Sequence, residues 1–258
     1  MTRLSPLPAA LFGGAARWRP LLPQWQREIS TPLSTARRIG VISLGAGAGA
    51  TTLTRHLVRI VAAARGDRVL AVDAAADGAL AAHWRLHPDR ARTAPPRTSA
   101  EATAHLARVL EGARGLAPAA AATDPVGAWL DEAAPISRFF DVVVTDFGRR
   151  HPATDLAPCA ALGDTVLLVA DADRASAEGA VSLGPGLSAL PESPRVVVAL
   201  VDRGGTGTAG RIVAARKETS VSVIPHDGDL TRDAAPRRFA TRVALLGLGA
   251  DLMAGDRS

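Results

Sequence analysis

Ile39-Gly40-Val41-Ile42-Ser43-Leu44 runs into Gly45-Ala46-Gly47-Ala48-Gly49-Ala50-Thr51-Thr52 and then Leu53-Thr54-Arg55-His56-Leu57-Val58-Arg59-Ile60. The first six residues are an apolar, β-branched run, the pattern of a buried strand. The next eight alternate glycine with alanine and end on two threonines. The last eight carry apolar residues at helical spacing. Strand, glycine-rich loop and helix in that order have the shape of a phosphate-binding loop. Glycines let successive backbone N–H groups turn inward at a helix start, where the helix dipole also favours an anion.

The charge that normally works in such a loop is missing. A lysine usually stands just before the threonine pair and reaches the β- and γ-phosphates; here that place holds Ala50. The one lysine of the chain is Lys217, so no neighbouring lysine substitutes for it.

Two further blocks follow at suggestive distances. Arg68-Val69-Leu70-Ala71-Val72-Asp73 reads as a second strand ending on a carboxylate, and Asp141-Val142-Val143-Val144-Thr145-Asp146 reads as another. In doubly wound sheets ligands sit outside the carboxyl ends of the strands, so both terminal aspartates are aimed at one place.

With those blocks the chain resembles the MinD/ParA family of deviant Walker A ATPases, over roughly residues 38–250. The family pattern is K-G-G-x-G-K-[ST]-T. Laid on it, the signature lysine falls on Gly45, the Walker lysine on Ala50 and the Mg²⁺-binding hydroxyl on Thr51. The resemblance makes Gly45, Gly47, Gly49, Ala50, Thr51, Thr52, Asp73 and Asp146 the lining of an ATP site, with Thr51 and Asp146 toward Mg²⁺. The catalytic acid two residues beyond Asp73 falls on Ala75; Asp77 follows two residues too late, as an ordinary helix-start aspartate or a replacement acid. Pro225-His226-Asp227 resembles the proline-centred loop on the adenine side. The place of a base-holding asparagine carries Ala199 or Leu200. From Arg68 to Trp84 the sequence is most similar to the MinD-like proteins of actinobacterial type VII (ESX) secretion loci.

A chain of 258 residues is long enough for one sizeable core, and 47% hydrophobic with 21% charged residues is a globular composition. The single cysteine, Cys159, allows no internal disulfide, fits a reducing cytosol and reads as a small buried hydrophobe. A net charge of +5 permits weak attraction to nucleic acid or acidic lipid without requiring it. No run reaches the length of a membrane span, and the first residues lack a signal-peptide pattern, so a soluble cytoplasmic protein is expected. His83-x-x-x-His87 lacks a third ligand, no G-x-S-x-G elbow occurs, and Gly45-x-Gly47-x-Gly49 has its third glycine one residue early for a dinucleotide fold.

Residues 1–36 form a separate compositional zone with five prolines, Trp18, Trp25, Arg17, Arg19 and Arg27, preceding a nucleotide-hydrolase-type domain over 37–258. The prolines argue against a long helix, leaving a short one over Leu7–Ala16. The zone is either a basic, aromatic arm for a partner or membrane surface, or an extension packing its tryptophans on its own domain. Helices are expected over Thr51–Ala64, closed by Gly66, and from the Thr98-x-x-Glu101 capping box to about Leu110. Residues 86–98 and Gly112–Pro125 read as surface loops, and Val126–Ala134 as a short helix. Strands are expected over Phe139–Phe147, Asp164–Ala170, Arg195–Val201 and Ser220–Ile224, and helices over Asp173–Leu190, interrupted at 184–186, Thr208–Lys217 and Phe239–Met253. In that last helix, core packing is the alternative to an amphipathic membrane anchor. Alternating strand and helix predicts an α/β, doubly wound, mainly parallel sheet flanked by helices.

Three functions remain open on sequence. The first is a pseudo-ATPase acting as scaffold or regulator, binding ATP and Mg²⁺ weakly or not at all. Its partners would be a protein, an active paralogue or secretion-system components, in a homodimer or heterodimer that ATP does not control. The second is an ATPase, partner-activated or using Arg38, Arg149 or Arg150 for the missing charge; the plain alternative for Arg149 and Arg150 is solvated loop charge. The third is a non-enzymatic DNA- or membrane-surface binder.

Overall fold

The computed structural model describes residues 20–66, 68–87, 95–205, 208–214, 219–230 and 236–254. The proposed helix over Leu7–Ala16, with Arg17, Trp18 and Arg19, lies outside them, as do Lys217 and most of the 86–98 loop.

Eight strands form one sheet in the order β3-β4-β2-β5-β1-β6-β7-β8. They are β1 (Arg37–Ser43), β2 (Val69–Asp73), β3 (Ala107–Leu110), β4 (Ala113–Leu116), β5 (Val142–Arg149), β6 (Thr165–Asp171), β7 (Arg195–Val201) and β8 (Ser220–Ile224). All neighbours pair in parallel except β3 with β4. The β-branched runs explain this: parallel strands are covered on both faces, so alternate residues enter two cores. Ile42, Val72, Val143, Leu168 and Val198 face one core, and Val41, Ala71, Val144, Leu167 and Val197 the other.

The helices divide accordingly. The second core is roofed by α1 (Leu21–Ser30), α2 (Ala50–Arg65) and, at the chain's end, α10 (Phe239–Met253), through Ile29, Leu53, Leu57, Val61, Leu245, Leu248 and Leu252. The burial of Val243, Leu245, Leu248 and Leu252 makes α10 a core helix and leaves no apolar stripe for a membrane surface. No helix among the described residues is long and apolar enough to cross a membrane. Two short helices follow β2: α3 (Ala79–Trp84) and α4 (Ser99–Thr103). The first core is covered by α5 (Pro125–Ala128), a π-helical turn (Trp129–Ala133), α6 (Ala134–Ser137), α7 (Leu156–Ala160) and α8 (Arg174–Ser188); α9 (Thr208–Ala214) joins β7 to β8.

Several expectations are corrected. The helix at Thr98 is real at its start, where the Thr98 hydroxyl accepts the Glu101 N–H at 3.2 Å, but it stops at Thr103. Residues 107–110 and 113–116 are a strand pair turning at Gly112, whose φ is +83°, so part of the expected surface loop is sheet. Ala-Arg-Gly-Leu carries no β-branched residue, and neighbours rather than propensity hold it there. Leu86 and Pro96, placed in an exposed loop by sequence, are buried. The α8 helix runs through Gly184-Pro185-Gly186 without a break. Leu156–Ala160 forms a helix that the sequence reading omitted.

Part of the N-terminal zone is helical and belongs to the domain's packing. In α1, Pro23 is the third residue, where its missing N–H costs no helical bond. Ile29 is only 1% exposed. Trp25 lies on Gly247 of α10; a Cβ there would stand 3.2 Å from the indole. Trp25 thus packs on its own chain. Replacing Ile29 by Ala should cost about 2–5 kcal/mol in urea unfolding while keeping one transition; a loss near zero would show that α1 is dispensable to the domain.

Candidate functional site

The carboxyl ends of β1, β2 and β5 define the site. β1 ends at Ser43, whose hydroxyl donates to the Gly45 carbonyl at 2.6 Å. The Leu44 N–H donates to the Val169 carbonyl on β6 at 3.0 Å, and the Arg150 N–H to the Ser43 carbonyl at 3.0 Å. The loop is therefore rooted on both neighbouring strands. Gly47 and Gly49 take φ of +67° and +96°, the left-handed region that suits glycine. Gly49 caps α2 and offers no side chain to its first N–H groups, which also have no partner within the helix. A helix start of this kind can face an anion.

The side chains at the start of α2 are small. Ala50 is 5% exposed and packs into the second core. Thr51 and Thr52 open α2, both half-buried. The Cβ position of Gly45 meets nothing within 4 Å.

Asp73, the last residue of β2, is the register partner of Asp146, which lies within β5. Both are buried. Asp73 accepts the N–H groups of Ala75 at 3.0 Å and Ala81 at 2.5 Å, yet burial still raises its pKa. Burial pushes Asp146 up to about 6, opposed by the Thr51 hydroxyl and the Gly148 N–H, which reaches Oδ1 at 2.9 Å. Thr51 is near enough to favour the charged carboxylate, but Oδ2 has no hydrogen bond of good geometry. An orphaned, fully buried carboxylate oxygen beside a threonine hydroxyl is the donor set of a hard cation such as Mg²⁺.

The switch side is closed. Between β1 and β5 the register slips, so that Val41 faces Asp146 and Ile42 faces Gly148. Phe147 is the extra residue, and its ring occupies the space beside Gly40, where a Cβ would lie 3.2 Å from it. Gly148 has φ +66°, and a Cβ on it would stand 2.8 Å from that of Ala75. Ala75 is thus packed against the end of β5. Asp77 is exposed, and its carboxylate accepts the Ala79 N–H at 3.3 Å, a helix-start role.

The proposed replacement cations are dispersed. Arg38 pairs with Asp164 at 2.6 Å, at the opposite end of β1 from the loop. Arg149 is exposed at the end of β5 beside Ser43. Arg150 is not a solvated loop charge: it is buried and donates through Nη2 to the Ala74 carbonyl at 2.8 Å. Pro225 lines a cavity of about 540 Å³ with Trp25, Val243 and Gly247, whose wall includes no residue of the loop. Sequence reasoning missed Arg203, just beyond β7. Its guanidinium is held by both oxygens of Asp171 and lies over the loop, with Nη1 3.3 Å from where a Gly47 Cβ would be. No spacing signal marks it, because its place follows from β7 lying two strands from β1.

No family model matches the chain. No curated protein matches it either. Solved structures do. The ParA family ATPase from Chlorobium tepidum TLS superposes with a TM-score of 0.58 at 16% identity, over 83% of this chain and 99% of that one. MinD in the MinC:MinD cell division complex of Aquifex aeolicus gives 0.63 at 19%, over 84% and 96%. A variant of Cyanothece McdA in complex with ATP gives 0.57 at 17%, over 86% and 94%. The fold is that of the ParA and MinD ATPases. At such identities the likeness carries the fold alone.

The buried carboxylate sets a pH test. Asp146 holds its proton more tightly folded than unfolded between its ordinary 3.8 and about 6, so its stabilising neutral form is lost as pH rises through that window. Ionising it in place costs on the order of 3 kcal/mol. Without metal, Asp146→Asn should melt above the parent at pH 7.5 and level with it near pH 4; equal melting at both would show the carboxylate is solvated.

Proposed function

We propose that the chain is a pseudo-ATPase, a MinD/ParA-like fold that acts through protein contacts and does not turn over ATP. The observation that carries this is Ala50, buried where a loop lysine would stand. Phosphoryl transfer is catalysed by positioning and by positive charge on the transferred group. Losing one such preorganised contact typically costs about 10²–10³ in rate. Gly45, Ala50 and Ala75 together leave neither loop lysine nor switch acid, and Ala75 lies so close to Gly148 that a side chain at position 148 would meet it.

Thr51, Thr52, Asp73 and Asp146 support a residual site for Mg²⁺ and a phosphate anion, with Gly47 and Gly49 shaping the cradle. A bound Mg²⁺ would neutralise Asp146. Without the signature lysine, Gly45 provides no arm across a dimer interface, so any dimer forms independently of ATP. The role we favour is scaffold or regulator for a protein partner or an active paralogue. The solved complex of MinD with MinC shows one protein of this fold working against a partner. The likeness of Arg68–Trp84 to MinD-like proteins of type VII secretion loci points to cytosolic secretion components.

Phosphate release with Mg²⁺ and ATP tests the reading, with mass by light scattering on the same samples. Turnover should equal that of Asp146→Ala, with mass unchanged by ATP. Turnover that Asp146→Ala abolishes would overturn the proposal.

A further inference from the structure

We propose that Arg203 is the phosphate-binding cation of this site, reaching over the loop from the end of β7 to hold a diphosphate group against Gly47 and the start of α2. The inference rests on the loop being an anion cradle, and it goes beyond the loss of hydrolysis: it says what the altered site still binds, and with which residue.

Four observations carry it. The guanidinium already lies on the loop, and the missing side chain of Gly47 is what lets Nη1 come so close. Its present partner, Asp171, ends β6 and also walls a cavity of about 310 Å³ beside Leu44, Gly45 and Pro152, so the pair stands at the loop's mouth. The Arg203 side chain is 52% exposed, so water reaches and screens its pair with Asp171. A diphosphate with two or more negative charges can therefore displace the carboxylate at small cost. Fourth, the buried, unpartnered Oδ2 of Asp146 against the first turn of α2 calls for a cation, and a metal ion there would itself draw a phosphate to the loop.

Arginine also suits this geometry better than it suits the lysine slot. A guanidinium does not fit the narrow backbone-lined channel that a loop lysine follows. Arg203 comes from outside the loop and needs no channel. Its planar fork matches two phosphate oxygens as it now matches the two oxygens of Asp171.

The chemistry recognised is a diphosphate, whether inorganic or carried by a nucleoside. Calorimetric titration of the full chain with Mg²⁺ and pyrophosphate, ADP or AMP separates these sources: pyrophosphate and ADP binding alike assigns the contact to the phosphates, and AMP should bind far more weakly. Arg203→Ala should lower affinity for ADP or pyrophosphate at least tenfold. Asp171→Asn, which releases the guanidinium and removes a repelling charge, should raise affinity several-fold. Arg149→Ala, at the neighbouring strand end, should change it less than twofold. Melting curves of each variant check that the substitutions leave the fold intact. The proposal falls if Arg203→Ala leaves affinity unchanged, or if neither the parent nor Asp171→Asn binds ADP or pyrophosphate at millimolar concentration. These results are independent of turnover, so measurable hydrolysis would sink the pseudo-ATPase reading without deciding this one.

Discussion

The burial of β1 on both faces and its pairing on both edges govern the loop end of the molecule. A strand held by β5 on one side and β6 on the other cannot shift, and its last residues inherit that rigidity. Ser43 is bonded to its own loop through its hydroxyl and to Arg150 through its carbonyl, and Leu44 is tied to Val169. The loop then spans a fixed gap to Gly49, whose carbonyl accepts the Leu53 N–H at 2.9 Å as α2 begins. Backbone geometry alone thus maintains the anion cradle. None of these contacts involves the Ala50 side chain, which packs into the core.

Side-chain charge follows a different logic. Two buried carboxylates stand in register on adjacent strands, and burial raises the pKa of both. In a site with loop lysines, positive charge would offset them; here the region is acidic at neutral pH and poorly solvated. The Arg150 guanidinium hydrogen-bonds the Ala74 carbonyl and not either carboxylate. An unbalanced pair of this kind destabilises the chain unless a cation joins it. The proposed Mg²⁺ at Asp146 would relieve that cost.

The strands with continuous β-branched runs were legible from sequence, and Arg195–Val201, Ser220–Ile224 and Phe239–Met253 fall on the expected residues. Buried parallel strands and a long apolar helix announce themselves by composition. The pair at 107–116 did not, because edge strands need no strong propensity when a turn at Gly112 and a neighbour such as β2 supply the pairing. The helix at Leu21–Ser30 was obscured by prolines that happen to flank it or to sit in its first turn. Among the site residues, the loop and the two aspartates could be read from order and spacing. Arg203 could not, since Gly47 and Arg203 are brought together only by strand order, as are Trp25 and Gly247.

The origin of the positive charge also bears on what the site can do with it. A lysine inside the loop is fixed relative to the helix start and meets the phosphoryl group being transferred, so it can stabilise charge that develops in the transition state. A guanidinium lying over Gly47 from beyond β7 would meet the resting anion, and it must first leave Asp171. Contacts that are equally strong in the ground state and the transition state bind a ligand without accelerating its reaction. Moving the cation from Ala50 to Arg203 would thus convert a catalytic contact into a holding one. On that account, loss of hydrolysis and retention of a phosphate group are two results of the same rearrangement of charge.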